Sequence, residues 1–559
     1  MKVVIIGGVA GGATAAARLR RLDETAQIVI FERSGYISYA NCGLPYYIGG
    51  AITNAQALTL QTPESFRARF RIDARVRHEV MRINREEKTL TVRNLDSGQL
   101  FDERYDKLLL SPGAMPVVPN LPGVENVFTL RTVEDALHIR NAALRGVRSA
   151  VVVGGGFIGV EMAENLHAMG ISVQLVEKME QVLGQLDRDM ASFVHAHMRA
   201  KGICLRLGCG VAGFEAAEHG VTTLLEGGEK INADMVVLAI GVAPDSRLAK
   251  EAGLALGIKN SIAVSDTMQT SDPNIYAVGD AVSIRNLVTN EPATISLAGP
   301  ANKQARVAAD NIAGLESRYK GAVAASVLKV FDMTVAAVGI SERAASAAGI
   351  AQETVILSPA AHASYYPGGR VMTMKLLFEA TTQRILGAQI VGFEGVDKRI
   401  DVLATAMQAG MQVSALKDLD LAYAPPYSSA KDPVNMAGFI AENVITGKVK
   451  HFSCADIAAL RQDSGAILLD TRTAGEYRRG HAAGFDTHIP VDELRERLHE
   501  LDKSKRIYVM CQSGLRSYIA CRILTQAGFT CYNFAGGYRF YESVENDRFD
   551  EHCRTDCGI

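Results

Sequence analysis

The chain has 559 residues, 48% of them hydrophobic and 21% charged, with 59 Lys and Arg against 61 Asp and Glu for a net charge of −2. At roughly 150 residues per domain, that length predicts three or four domains, each able to bury its own core. The charge balance leaves no electrostatic footprint for nucleic acid or an anionic membrane surface, and no stretch reaches the ~18 consecutive apolar residues of a membrane span. The chain opens directly on a strand, Lys2 to Ile6, without a basic stretch, apolar stretch and cleavage site. Its nine cysteines are scattered rather than spaced as a disulfide framework. Both observations predict a cytoplasmic protein with reduced thiols.

Lys2–Glu32 reads as strand, glycine turn, helix and strand: VVII, GGVAGG, ATAAARLRRL and QIVIFE. Ala150–Glu177 repeats the order with AVVV, GGGFIG, VEMAENLHAMG and SVQLVE. Strands alternating with helices predict parallel sheets, and two such units predict two nucleotide-containing cofactors. Between them Val76–Leu110 alternates charged and apolar residues, as an antiparallel meander does. Short strands follow at Ala233–Gly241 and Asn274–Gly279. From about Gly321 to Thr446 the pattern changes to mixed strands and helices, a third, α+β domain. ENVITGKVKHFS, around 442–453, carries Gly and Lys and predicts a linker. Beyond it AILLD, RIYVM and CYNFA read as short buried strands alternating with helices. The expected class is α/β: two Rossmann-like dinucleotide-binding domains (1–115 with 245–320, and 116–244), an α+β domain (321–446) and a C-terminal α/β domain (455–545).

Gly154-x-Gly156-x-x-Gly159 lies between a strand and a helix, with Glu177 at the end of the next strand. The glycines allow a tight turn, close approach of backbone to a pyrophosphate, and close helix–strand packing. Glu177 accepts ribose hydroxyls and repels a 2′-phosphate, which favours NADH over NADPH; the adjacent Lys178 weakens that exclusion. The first loop has Val9 at the middle glycine position, although Gly7, Gly12 and Glu32 keep the spacing. TSDPNIYAVGD, ending in Gly279 and Asp280, and YDKLLLSPGA, with Ser111, Pro112 and Gly113, resemble the second signature and connecting motif of two-dinucleotide flavoproteins. The resemblance implies FAD in the first site, with Asp280 at the ribityl and pyrophosphate region.

Cys42, in SYANCGLPY, follows Glu32 where these flavoproteins place a redox-active thiol. Near a helix N-terminus and a flavin, its pKa is expected to be lowered. The position five residues earlier is Ile37, so Cys42 has no local partner and must form a mixed disulfide with substrate or be oxidised. SYANCGLPY, LAGPANKQ, HASYYPGG and YAPPYSSAKDP resemble the coenzyme A-disulfide reductases, in the single-cysteine branch of the pyridine nucleotide-disulfide oxidoreductases, over roughly residues 1–445. NADH peroxidases and oxidases of that branch carry a histidine where Ala10 stands, which argues against them. The resemblance implies a homodimer in which Tyr365 and Tyr423, with Tyr366 and Tyr427 as near alternatives, reach the thiol of the other subunit. A phenol there would protonate a departing thiolate. For the phosphates and chain of coenzyme A the matching candidates are Arg18 and Arg21, at (i, i+3) on the first helix, with Arg71, Lys431, Thr14, Ser38 and Asn41. No metal site is expected.

LLDTRTAGEYRRGHAAGFDTHIP (468–490) followed by YVMCQSGLRS (508–517) resembles the rhodanese family, over about 455–545. The loop Cys511–Ser517, between a strand and a helix, is expected to wrap backbone N–H groups around the Cys511 sulfur, with Arg516 adding positive charge. Asp470, Arg472, Glu476 and His481 are expected to hold the domain together. Cys521 reads as core, Cys531 as core or a secondary sulfur acceptor, and Cys553 and Cys557 as a tail pair open to oxidation. The expected function is an NADH-dependent, FAD-containing reductase of small-molecule persulfides, polysulfides or coenzyme A disulfide, with the C-terminal domain relaying sulfane sulfur. A sulfur-carrier protein, or an NADH peroxidase or oxidase, stands as the alternative.

Overall fold

The computed structural model describes residues 1–552. It divides into two compact units: Met1–Glu180 with Gly202–Ala324, and Gln181–Lys201 with the chain from Ala325 onward. Cys553 and Cys557 lie outside the described residues. Among those described, no helix is long and apolar enough to cross a membrane.

In the first unit Lys2–Ile6 is an almost wholly buried apolar strand, as a strand covered on both faces must be. It pairs in parallel with Gln27–Phe31 on one side and Lys107–Leu110 on the other. Asp73–Arg75 and Ile275–Ala277 complete a five-stranded sheet. The Ala-rich helix Ala10–Leu22 buries Ala13, Ala15, Ala16 and Leu19 against this sheet and the helix Ala298–Ile312. Alanine favours the helix and keeps the two axes close. A second parallel sheet runs Cys204–Leu207, Ser172–Glu177, Ser149–Val153, Met235–Leu238 and Phe128–Thr129. Two antiparallel meanders flank the sheets, His78–Asn84 with Thr89–Asn94 and Leu100–Arg104, and Val211–Ala216 with Val221–Leu225 and Lys230–Ala233.

The second unit holds an antiparallel sheet in the order Ser326–Val330, Met333–Gly339, Ile385–Gly392, Thr373–Glu379, Gln352–Leu357, with the helices Val396–Gln408 and Pro433–Ile445. It also holds a five-stranded parallel sheet, His451–Phe452, Thr530–Phe534, Arg506–Met510, Ala466–Asp470 and Thr487–His488. The stretch 442–453 is therefore not a linker. Its first residues finish the helix Pro433–Ile445, which buries Ala437 and Ala441, and His451–Phe452 adds a strand beside Asn533 and Phe534. Gly and Lys there mark only the short turn at 446–450.

The helix Arg188–Ala200, part of this unit, packs on the last described helix, Gly537–His552, through Phe193 and Phe540 and a Ser192–Ser543 hydrogen bond. Beneath them the carboxylate of Asp547 meets Arg188, Arg199 (2.7 Å) and His195 Nδ1 (3.0 Å). His195 Nε2 accepts the N–H of Val182 at 3.1 Å, so the ring is neutral with its proton on Nδ1. Burial pushes the His195 pKa down, and despite burial the contacts with His195 and the arginines hold Asp547 down at about 2. In the unfolded chain these groups titrate near 6.5 and 3.8, so that state binds more protons as pH falls. Stability is therefore full above pH ~6.5 and declines below it. Asp547→Ala removes a buried carboxylate from among Arg188, Arg199 and His195 and is expected to cost about 2 kcal/mol in urea unfolding at neutral pH. It should also flatten the loss of stability between roughly pH 4 and 2.

Candidate active site

The two glycine loops are built alike. Gly7 has φ +94°, and a Cβ on it would lie 2.1 Å from Ser111 O; on Gly12 a Cβ would lie 1.9 Å from Gly7 O. Gly154 has φ +109°, and a Cβ on Gly159 would lie 1.9 Å from Gly154 O. Glu32 Oε2 accepts the Gly8 N–H at 2.8 Å and Oε1 that of Ser34 at 2.9 Å. Glu177 Oε2 accepts the Gly155 N–H at 2.6 Å and Oε1 that of Met179 at 2.7 Å. Each acid thus fastens the second strand to its glycine turn. A Cβ at Gly156 would meet no protein atom within 4 Å, so that glycine is not required by packing within the polypeptide.

The helices leaving both loops start at Val9 and Gly156 without a side-chain cap or an acidic residue in the first turn. Two other helices of the unit, Pro63–Phe70 and Val133–Ala143, open with the capping boxes of Thr62 and Thr132. Uncapped N–H groups carry partial positive charge and suit a diphosphate. A cleft of about 60 Å³ beside the first loop is lined by Gly7, Phe31, Glu32, Arg33 and Pro112 among others. Gly113, at φ +76°, packs against Arg131, and Gly279, at φ +85°, donates its N–H to Gln304 Oε1 at 2.7 Å. Asp280 is raised by burial, with Arg131 3.8 Å away. A tight glycine turn, an uncapped helix start and a sheltered carboxylate fit the diphosphate and hydroxyls of FAD in the first site; the second loop fits a pyridine dinucleotide.

Cys42 sits in the short 3₁₀ turn Asn41–Gly43 before the helix Leu44–Ile48. It is solvent-accessible yet recessed, and Ile37 is fully buried. Burial, then the carboxylates of Glu161 and Asp280, push the Cys42 thiol up, opposed by Arg131. The expected lowering is therefore not a property of the polypeptide: burial and two acids outweigh Arg131, and the following helix has only five residues. Glu161 is itself raised to about 7 by burial and accepts the Tyr46 hydroxyl at 3.2 Å. Asn41 accepts from Arg131 Nη1 at 2.6 Å and donates to Arg131 O at 2.9 Å. Arg131, Tyr46 and Glu161 escape the sequence reading. Only Glu161, two residues beyond Gly159, carries a local signal.

The coenzyme A candidates separate in the structure. Arg18 is paired with Asp310 at 2.7 Å, and Thr14 donates to Asn302 at 2.5 Å. Ser38, at φ +46°, is folded onto the first glycine loop by its N–H to Gly8 O at 2.7 Å. Arg21 and Arg71 are exposed, as is Lys431 in the second unit. There Tyr365 and Tyr423, 74% and 46% exposed, share a hydroxyl–hydroxyl hydrogen bond of 2.7 Å.

In the C-terminal sheet Cys511 is fully buried at the end of Arg506–Met510. Its sulfur receives the Gly514 N–H at 3.1 Å and the Ser517 hydroxyl at 3.2 Å. Gly537 leaves room for the loop: a Cβ there would lie 2.6 Å from Ser513 N. Arg516 lies close enough to Cys511 for the two to interact electrostatically. Both its terminal nitrogens bind Glu476 at 2.7 Å, which largely offsets its charge. Asp470 and Arg472 form a buried pair, with Arg472 stacked 3.9 Å over the Tyr538 ring.

The family model for pyridine nucleotide-disulphide oxidoreductases matches residues 1–305, and that for their dimerisation domain residues 325–433. Coenzyme A disulfide reductase of Staphylococcus haemolyticus is 36% identical over 447 residues, covering 79% of this chain and 100% of that one. The chain belongs to the pyridine nucleotide-disulphide oxidoreductase family. This oxidoreductase also matches the rhodanese-like domain model at 453–543. It is similar to the structure of reduced Bacillus anthracis CoADR-RHD, at 47% identity and TM-score 0.95 with 98% of each chain covered. It is similar to the NAD-dependent persulfide reductase of A. fulgidus, at 38% identity and TM-score 0.91 over 97% of this chain and 100% of that one. The family's cofactors, FAD and a reduced pyridine nucleotide, are those the two loops fit.

Removing the Glu161 charge should ease ionisation of Cys42. In the flavin-free protein, Glu161→Gln is expected to move the pH midpoint of Cys42 alkylation by iodoacetamide downward. The rate at pH 8 should rise roughly two- to fivefold. An unchanged midpoint would mean that the Glu161 charge does not act on the thiol.

Proposed function

We propose that this oxidoreductase reduces coenzyme A persulfide and polysulfide, and also coenzyme A disulfide, with NADH, releasing sulfide, and that its rhodanese-like domain supplies the sulfane sulfur. The observation that carries this is a thiol with no local partner, Cys42 with Ile37 in place of a second cysteine, on the same chain as a second sulfur, Cys511, seated in an N–H and hydroxyl nest. The relatives named for coenzyme A disulfide and persulfide reduction support it.

In this mechanism the Cys42 thiolate attacks the carbon-bound sulfur of CoA–S–SH. A Cys42–S–S–CoA bond forms, the sulfane bond breaks and HS⁻ leaves. With coenzyme A disulfide the leaving group is the CoA thiolate. FAD, when bound, supplies an electron pair taken from the pyridine nucleotide to return the mixed disulfide to thiol and free CoA. Cys42 must then be held ionised, and Arg131 is the cation beside it that favours the thiolate. In a homodimer, Tyr365 and Tyr423 of one subunit serve Cys42 of the other: the Tyr365–Tyr423 hydrogen bond raises the Tyr423 pKa and keeps its phenol protonated. That proton suits a departing thiolate. Exposed Arg21, Arg71 and Lys431 serve the phosphates of coenzyme A; Arg18, Thr14, Ser38 and Asn41 shape the walls.

Glu177 selects NADH. Its carboxylate is fixed by two N–H groups, and Lys178 is drawn to Glu226 at 2.9 Å rather than left for a 2′-phosphate. Glu177→Ala should narrow the NADH-to-NADPH ratio of kcat/KM by roughly tenfold or more.

With NADH and coenzyme A persulfide, purified protein is expected to release sulfide as NADH is consumed. Cys42→Ser should cut turnover by about a thousandfold or more. Cys511→Ser should spare free coenzyme A persulfide and impair sulfur drawn from polysulfide or protein persulfide. Full turnover in Cys42→Ser would overturn the reading.

A further inference from the structure

The rhodanese-like domain contains two neighbouring buried cysteines that the mechanism above leaves unused. Cys521 lies on the helix Leu515–Gln526 and Cys531 on the adjoining strand Thr530–Phe534; they are 2% and 8% exposed. They belong to one apolar cluster with Ile507, Val509, Ala520 and Leu524. Cys531 pairs in register with Ile507 and so faces the helix. Its sulfur donates to the Cys521 carbonyl at 3.3 Å and lies 3.3 Å from the Thr525 hydroxyl. Ser517, which touches the Cys511 sulfur, precedes Cys521 by one turn, so Cys511, Cys521 and Cys531 all lie on the helix-covered face of the sheet.

We propose that Cys521 and Cys531 form a redox-active dithiol that takes sulfane sulfur from a small persulfide or polysulfide and closes to a disulfide as it releases sulfide. The inference deepens the persulfide reading above, but it needs only this domain. In the first step the Cys531 thiolate attacks the outer sulfur of R–S–SH. A Cys531–S–SH bond forms and RSH leaves with the proton. In the second, Cys521 attacks the Cys531 Sγ; the Cys521–Cys531 bond forms, the sulfane bond breaks and hydrogen sulfide departs. In sum, RSSH and two thiols give RSH, one disulfide and H₂S, the dithiol supplying both electrons. Two equivalents of a small thiol then restore the pair and leave as their own disulfide.

The electrostatics divide the two roles. The Cys521 thiol, followed by the Thr525 hydroxyl, holds the Cys531 pKa down to about 7 against burial, whereas the contact with Cys531 and burial keep Cys521 protonated. A thiolate beside a thiol is the arrangement of an attacking and a resolving cysteine. In this proposal R–S–SH reaches Cys531, 8% exposed, by way of the Ala527–Phe529 turn that precedes its strand.

The test uses the full chain carrying Cys42→Ser and Cys511→Ser, without NADH, so that it is independent of the reductase and of the Cys511 nest. The protein is treated anaerobically with glutathione persulfide, denatured in alkylating reagent and mapped by peptide mass spectrometry, with sulfide measured in parallel. The expected result is about one sulfide per chain and a Cys521–Cys531 crosslinked peptide that dithiothreitol opens. Adding Cys521→Ala should leave an extra sulfur atom on Cys531 and stop the release. Recovery of both cysteines as alkylated free thiols, or undiminished release in the Cys521→Ala protein, would overturn the proposal. Loss of NADH-driven turnover in Cys42→Ser bears on the reductase alone and leaves this result untouched.

Discussion

The architecture of the first unit turns on how closely a helix can approach the strand that precedes it. At Gly12 and Gly159 the space for a side-chain carbon is already taken by a carbonyl oxygen 1.9 Å away, so any residue but glycine would drive the helix off its sheet. With the helix seated, its first N–H groups stand uncapped at the sheet edge, and an acid at the end of the second strand, Glu32 or Glu177, locks the turn with two hydrogen bonds. Both nucleotide sites are consequences of that contact. The middle position of the loop is not held by this helix–strand contact, and there the first loop has Val9 where the second has Gly156.

The thiol is governed by a different balance. Cys42 stands just outside a five-residue helix, too short to supply much field, and faces two carboxylates and one guanidinium. The polypeptide alone raises its pKa. The thiolate chemistry therefore depends on what occupies the adjoining site, and Glu161, titrating near 7, couples it to the helix that begins at the second glycine loop. In the rhodanese-like domain the setting is different: Cys511 is buried, its sulfur receives one backbone N–H and one hydroxyl, and Arg516 is paired with Glu476. Neutral donors stabilise a thiolate or persulfide anion without the desolvation cost of a second charge.

The second unit is held by charge as well as by apolar packing. Asp547 draws Arg188, Arg199 and a neutral His195 together beneath the Phe193–Phe540 contact. Lys375, almost wholly buried, gathers Asp187, Asp189 and Glu342. Such clusters join segments far apart in the chain, with partners that no local pattern announces.

The sequence by itself determined whatever rests on local spacing. The two strand–turn–helix units, the acids Glu32 and Glu177, the partnerless Cys42 and the Cys511 loop were all readable, because each depends on residues within about one supersecondary unit. Read as a linker, 442–453 failed because helix continuation and an added strand are decided by partners, Asn533 and Phe534, that lie far downstream. Only the tertiary structure decided that Arg516 answers to Glu476, that Arg18 is bound to Asp310, that Arg131 and Glu161 frame Cys42, and that Cys521 lies against Cys531. The reason is physical: a side chain's charge state and direction follow from which neighbours remain when the chain is packed, and packing brings together residues whose separation along the chain carries no signal.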